Sequence, residues 1–122
     1  MITVQAQYIT PGTGINWNLG DLVENSGGTV TMESPGLYII NNNLTISNND
    51  TMSVLTATVI DVADGVLITV KGVLLTNAEE PDLVYFSALN DHYAGFRFED
   101  NDGSVVTATH FLKAGGMDLV NA

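Results

Sequence analysis

Cysteine is absent from the 122 residues, so neither a disulfide nor a thiolate metal centre can form, and redox chemistry gives no sign of compartment. Cations are nearly absent too. Lys71, Arg97 and Lys113 stand against 14 Asp and Glu, for a formal charge of −11. A surface of that sign repels phosphate backbones and anionic lipid, which argues against nucleic acid and membrane surfaces as partners. No apolar run approaches the length of about 20 residues that a spanning helix needs, so no membrane insertion is expected. The start, MITVQAQ, lacks the basic and apolar regions of a signal peptide, although Val4-Gln5-Ala6 resembles the small-x-Ala end of a cleavage site. Residues 1–10 therefore read as a residual leader or a flexible N-terminus.

What is present suits one domain with a modest core: 45% hydrophobic residues, 12 Gly, and polarity carried mainly by Asn, Thr and Ser. From Thr29 onward, short apolar runs rich in Val, Ile, Leu and Thr alternate with Asn, Asp and Gly, as in TVTM, LYII, LTIS and VLITV. Their length and flanks predict strands separated by turns, hence an all-β domain. An antiparallel sandwich fits the short connections. The spacing points elsewhere, because the runs recur in triplets. The first comprises Asn43 to Ser47, Met52 to Leu55 and Thr58 to Val62. The second comprises Gly65 to Val70, Val73 to Thr76 and Leu83 to Leu89. The third comprises Gly95 to Glu99, Ser104 to Ala108 and His110 to Ala114, with GMDLVN opening a fourth. Ile46, Ile68, Phe96 and Met117 then stand 22, 28 and 21 residues apart. A repeat of this length with three short strands is the signature of a parallel β-solenoid, whose turns bury their apolar residues only against neighbouring turns.

A solenoid needs a cover over its first rung. In NWNLGDLVENSGG, Trp17, Leu19, Leu22 and Val23 form one apolar side of a short helix; Asn16 or Asn18 supplies the N-cap, and Gly27 or Gly28 the positive φ at the end. Residues 11–28 are thus expected to be a helical cap and 29–122 the solenoid rungs. The phrases PGTGINWNLGDLVENSGG, NLTISNNDTMSV, DGVLITVKGVLLTN and AGFRFEDNDGSVVTATHF, in this order, resemble the N-terminal part of secreted bacterial right-handed parallel β-helix surface proteins, including those exported by the type IX route. That resemblance implies a right-handed β-helix and a secreted or cell-surface location, and it leaves the chemistry open. Such proteins run on for many more rungs, so the carboxyl end of the chain is expected to meet further rungs of a parent protein or another copy.

Candidate chemistry is sparse. FEDNDG ends like a calcium loop, yet Phe98 and Thr109 occupy the positions of the first Asp and the bidentate Glu, which leaves Asp100 and Asp102 as weak metal candidates. His92 and His110 lack ligand spacing, and Ser87 lies outside any Gly-x-Ser-x-Gly elbow. Glu79, Glu80 and Asp82 have the type of paired glycosidase carboxylates but sit in a Pro-containing loop, where charges are normally solvated. The Asn clusters at 41–43 and 48–49 suit tight turns and stacking between rungs. Tyr8, Tyr38, Tyr85 and Tyr93 offer aromatic faces for pyranose rings, and Tyr85, Tyr93 and Arg97 are the candidate ligand contacts. The reading is therefore of a non-catalytic scaffold or adhesion module, with no catalytic residue, no cofactor and no metal requirement. The alternative is the carbohydrate-binding front of a β-helix polysaccharide-active enzyme whose catalytic residues lie elsewhere.

Overall fold

The computed structural model describes residues 7–78, 83–100 and 103–120, the last without the side chain of Asp118. The amino-terminal part comprises β1 (Tyr8–Ile9), β2 (Asn16–Trp17), α1 (Leu19–Asn25), β3 (Val30–Ser34) and β4 (Leu37–Ile40). Ten strands follow: β5 (Leu44–Ile46), β6 (Thr51–Val54), β7 (Thr58–Val62), β8 (Leu67–Val70), β9 (Val73–Asn77), β10 (Val84–Ala88), β11 (Gly95–Glu99), β12 (Val105–Thr107), β13 (Thr109–Phe111) and β14 (Met117–Val120). The fold is all-β with parallel sheets.

The strands sort into three sheets, with orders β1-β5-β8-β11-β14, β3-β4-β7-β10-β13 and β2-β6-β9-β12. From β4 on, each strand pairs in parallel with the strand three places later. Consecutive strands thus lie in different sheets, joined by short corners. Because side chains alternate along a strand, each ladder carries whole rows of residues inward. Leu44, Ile68, Phe96 and Met117 form one such row, and Ile46, Val70, Phe98 and Leu119 the next. In the second sheet Tyr38, Ile60, Phe86 and Phe111 align. In the third, Trp17, Met52 and Leu74 align. Most of these side chains are buried and form one continuous core. Phe86 lies at its centre, stacked on Phe111 and edge-on to Phe96 with centroids 5.4 and 5.0 Å away. Each fully buried side chain of this size contributes about 1.5–3 kcal/mol.

Four expectations change. Ile46 pairs with Val70, and it is Leu44 that stands beside Ile68, a slip of two residues that period-two patterning hides because both register choices face inward. Residues 1–10 are not simply a leader: Tyr8 and Ile9 form β1 and pair with Leu44 and Thr45. The cap segment 11–28 contains a strand, since Asn16 and Trp17 pair with Thr51 and Met52; Trp17 therefore precedes the helix instead of belonging to it. Finally, β3 and β4 pair antiparallel with an irregularity between Met32 and Ser34, so the first strands after residue 29 form a hairpin.

Helix α1 starts at a capping box. The Asn18 side chain accepts from the Asp21 N–H at 2.8 Å, and the Asp21 carboxylate accepts from the Asn18 N–H at 3.2 Å. Leu19 and Leu22 are buried, Val23 packs against the core, and the helix lies chiefly on β3. Ser26 ends it, donating its N–H to Leu22 at 2.9 Å, and Gly27 and Gly28 then take positive φ values of 63° and 97°.

Candidate functional site

The most elaborate polar centre is a buried carboxylate. Asp50, in the Ser47–Asp50 corner between β5 and β6, is fully buried. Its oxygens accept N–H groups from Gly12 at 2.8 Å, Gly14 at 3.0 Å and Ile15 at 2.9 Å, and the Trp17 indole N–H at 3.3 Å. The Pro-Gly-Thr-Gly-Ile segment can aim three amides at one point because Gly12 and Gly14 adopt φ values of 76° and 85°. Burial alone would raise the Asp50 pKa, but the amides of Ile15 and Gly12, the Thr10 hydroxyl and the Trp17 indole outweigh it and hold it at about 2. The phenol of Tyr8, edge-on to Trp17 at 6.1 Å, is raised by burial and by the Asp50 charge. Around it, Thr10 and Ser47 exchange hydrogen bonds: the Ser47 N–H donates to Thr10 Oγ1 at 2.8 Å, and the Ser47 hydroxyl donates to the Thr10 carbonyl. Between β8 and β9, a Cβ at Gly72 would overlap the carbonyl oxygens of Asp50 and Ser47, so only glycine fits there. With all its acceptor positions engaged by the chain itself, Asp50 is a clasp fixing the 8–17 segment to the sheets, not a free acid or base.

The sequence reading missed this centre, seeing only the turn-forming Asn48 and Asn49 beside it. The signal was the Gly-x-Gly spacing in PGTGI, which marks converging amides without identifying the anion.

An open groove of about 440 Å³ is the best candidate for an external ligand; Pro35, Gly36, Ala57, Val59, Leu83 and Tyr85 line it. It runs along the corner where Thr58 begins β7, its hydroxyl donating to the Thr56 carbonyl at 2.9 Å. Tyr85 is half-buried and stacks on the exposed ring of His110, centroids 5.3 Å apart and planes at 19°. A second groove, of about 390 Å³, lies between Asn18, Leu19, Tyr38 and Leu55.

The three candidate contacts do not converge. Tyr85 reaches the groove. Tyr93 is fully buried against Phe96, its pKa pushed up to about 12 by burial and its hydroxyl without a hydrogen-bond partner, so it offers no face to a ligand. Arg97, half-buried on a different sheet, lies with Nε 3.2 Å from the Glu99 carboxylate but without hydrogen-bond alignment. The four tyrosines form no platform, since Tyr8 packs on Trp17 and Tyr38 lies in an inward row. Asp100 is exposed with φ 50°, and Asp102, like Glu79, Glu80 and Asp82, lies outside the described residues. Among the described residues no group of three or more His, Asp or Glu is placed to hold a metal ion. The Asn corners bond largely to backbone: Asn41 to the Gly28 carbonyl at 3.2 Å, and Asn43 to the Leu67 N–H at 2.9 Å at the start of β8.

No protein-family model matches the chain, and no curated protein or solved structure is significantly similar to it.

Proposed function

We propose that the chain is a non-catalytic scaffold module: a right-handed parallel β-helix with three strands per turn, closed at its amino end by α1 and Trp17, and serving as a stalk or adhesion element of a secreted or cell-surface protein. The observation that carries this reading is the continuity of the inward rows. Leu44-Ile68-Phe96-Met117 and Tyr38-Ile60-Phe86-Phe111 each run through four strands of one sheet without a polar interruption. Strands that pair with the third strand onward trace a coil, and crossovers between parallel strands of one sheet are right-handed almost without exception. The buried Asp50 carboxylate is spent on holding the chain to itself. The resemblance to secreted β-helix surface proteins supports the same role and location.

Carbohydrate recognition is the second reading, favoured by one observation: the groove beside Tyr85 combines an aromatic ring with an open, partly polar floor. The net charge of −11 restricts it to neutral glycans. Titrating neutral and uronate polysaccharides against the wild type and Tyr85→Ala separates the two readings. The scaffold reading predicts no saturable binding by either protein. Saturable binding of a neutral glycan, lost in Tyr85→Ala, replaces it with the second.

A further inference from the structure

Residues 8–17 lie along β5 and β6 with little apolar anchorage. Thr10 and Trp17 are buried, whereas Ile9 and Ile15 are 53% and 39% exposed. Two ladders of two residues each join the segment to β5 and β6. Flanking bonds run from the Tyr8 and Thr10 N–H groups to the Asn43 and Thr45 carbonyls, and from the Thr51 N–H to the Ile15 carbonyl. Fixing ten residues in one conformation is entropically costly, and ladders this short with one buried ring offset only part of that cost. The rest of the hold is the Asp50 carboxylate, which gathers the N–H groups of Gly12, Gly14, Ile15 and Trp17 at one point. The neighbouring elements are held differently. Helix α1 is anchored on β3 through buried Leu19 and Leu22, and β5 and β6 pair along their other edges with β8 and β9. Removing the segment therefore leaves the sheets behind it and the helix after it with their own contacts.

We infer that residues 8–17 form an acid-released strap: protonation of Asp50 detaches the segment as a unit from β5 and β6, while α1 and the other strands stay folded. A protonated carboxyl accepts hydrogen bonds far more weakly than a carboxylate, and it brings an O–H donor of its own to a site already filled with donors. The amides and the indole thus lose their acceptor together. The Tyr8 phenol, raised by burial and by the Asp50 charge, keeps its proton throughout the acid range, and Lys71 adjoins Gly72 in the corner that packs on the Asp50 backbone. Folding lowers the Asp50 pKa from 3.8 to about 2, so the strap is fully held above pH 4, and its closing equilibrium falls about 60-fold as pH drops through 2. Release uncovers the Asn43 and Thr45 carbonyls, the Thr51 N–H and the strand partner of Trp17, Met52. Two sheet edges are then closed at neutral pH and open in acid. The strap is separate from the groove beside Tyr85 and independent of whether that groove binds sugar.

Trp17 is the single tryptophan of the chain, so its emission and its quenching by neutral acrylamide report the strap, while far-UV circular dichroism reports the sheets. Acid titration of the full chain is compared with that of Asp50→Asn, in which the other 13 acids still titrate. In the wild type, Trp17 emission is expected to move to the red and quenching to rise between pH 4 and 2, while the sheet signal holds. Asp50→Asn is expected to show the released emission at pH 7, with the wild-type sheet signal and no further change in acid. Gly14→Ala keeps the test open where Asp50→Asn does not fold. A Cβ there meets nothing within 4 Å, so only the φ of 85° is strained, and the Trp17 transition is expected to move to higher pH. Trp17 and sheet signals that change together, a Trp17 spectrum constant down to pH 2, a folded Asp50→Asn with a native Trp17 spectrum, or a Gly14→Ala midpoint equal to that of the wild type overturns the inference.

Discussion

A carboxylate taken out of water ordinarily recovers its proton, and Asp50 keeps its charge because the chain surrounds it with N–H donors from Gly12, Gly14, Ile15 and Trp17. The consequence is a pH dependence of defined sign. Its pKa falls from 3.8 to about 2 on folding, so the unfolded state binds the proton more tightly and the ionised clasp stabilises the fold above pH 4. That contribution, about 2 kcal/mol from the size of the shift, is lost as pH drops from 4 through 2. In Asp50→Asn the amide presents donors to donors and the group no longer titrates. Urea unfolding at pH 7 is expected to find the variant less stable by about 2 kcal/mol or more, and at pH 2 the gap between the two proteins narrows. A gap equal at both pH values would mean that Asp50 acts through shape and not through charge.

At the scale of elements, the amino-terminal segment is held by β2 and α1 together. Trp17 closes an inward row over Met52, touches Tyr8 and donates to Asp50, so its removal opens a cavity and also takes one donor from the clasp. Trp17→Ala is expected to cost about 3–5 kcal/mol in chemical denaturation. Asn18→Ala, which removes only the cap, is expected to cost about 1 kcal/mol. Equal losses would contradict the division of labour between strand and helix. Much of this region is legible in the sequence: a polar residue three places before Asp21, Leu19 and Leu22 on one side, two glycines at the end. The strand character of Asn16-Trp17 and Tyr8-Ile9 is not, because two-residue strands owe their conformation to partners about 35 residues away rather than to their own propensity. The same limit explains the slipped register at Ile46. Local pattern fixes which face of LTI is apolar, whereas the corners before and after it decide whether Leu44 or Ile46 meets Ile68. Of the candidate contacts, the sequence marks Tyr93 as an aromatic beside loop residues, but its burial against Phe96 arises only once β11 takes its place in the sheet. The Asp50 centre stays hidden for a related reason, since its anion and its donors are joined only by folding.

For the whole molecule, most strand–strand contacts from β4 on join a strand to the one three places before or after it. Stability then comes largely from the pairings between neighbouring strands of each sheet, so protection should be highest in the middle, at β7, β8 and β9, and lowest at the exposed β12 and β14. From β4 on, the architecture stands or falls with the pairing of each strand with the third one onward. The most direct test is nuclear Overhauser spectroscopy of the isotope-labelled chain, assigning contacts between strands. Parallel-ladder contacts are expected to join Thr45 to Thr69 and Thr69 to Arg97, with none of the ladder type between consecutive strands from β4 on, such as β8 and β9. Close contacts between α-protons of consecutive strands from β4 on, the mark of antiparallel hairpins, would contradict the parallel pairing and leave a β-sandwich in its place.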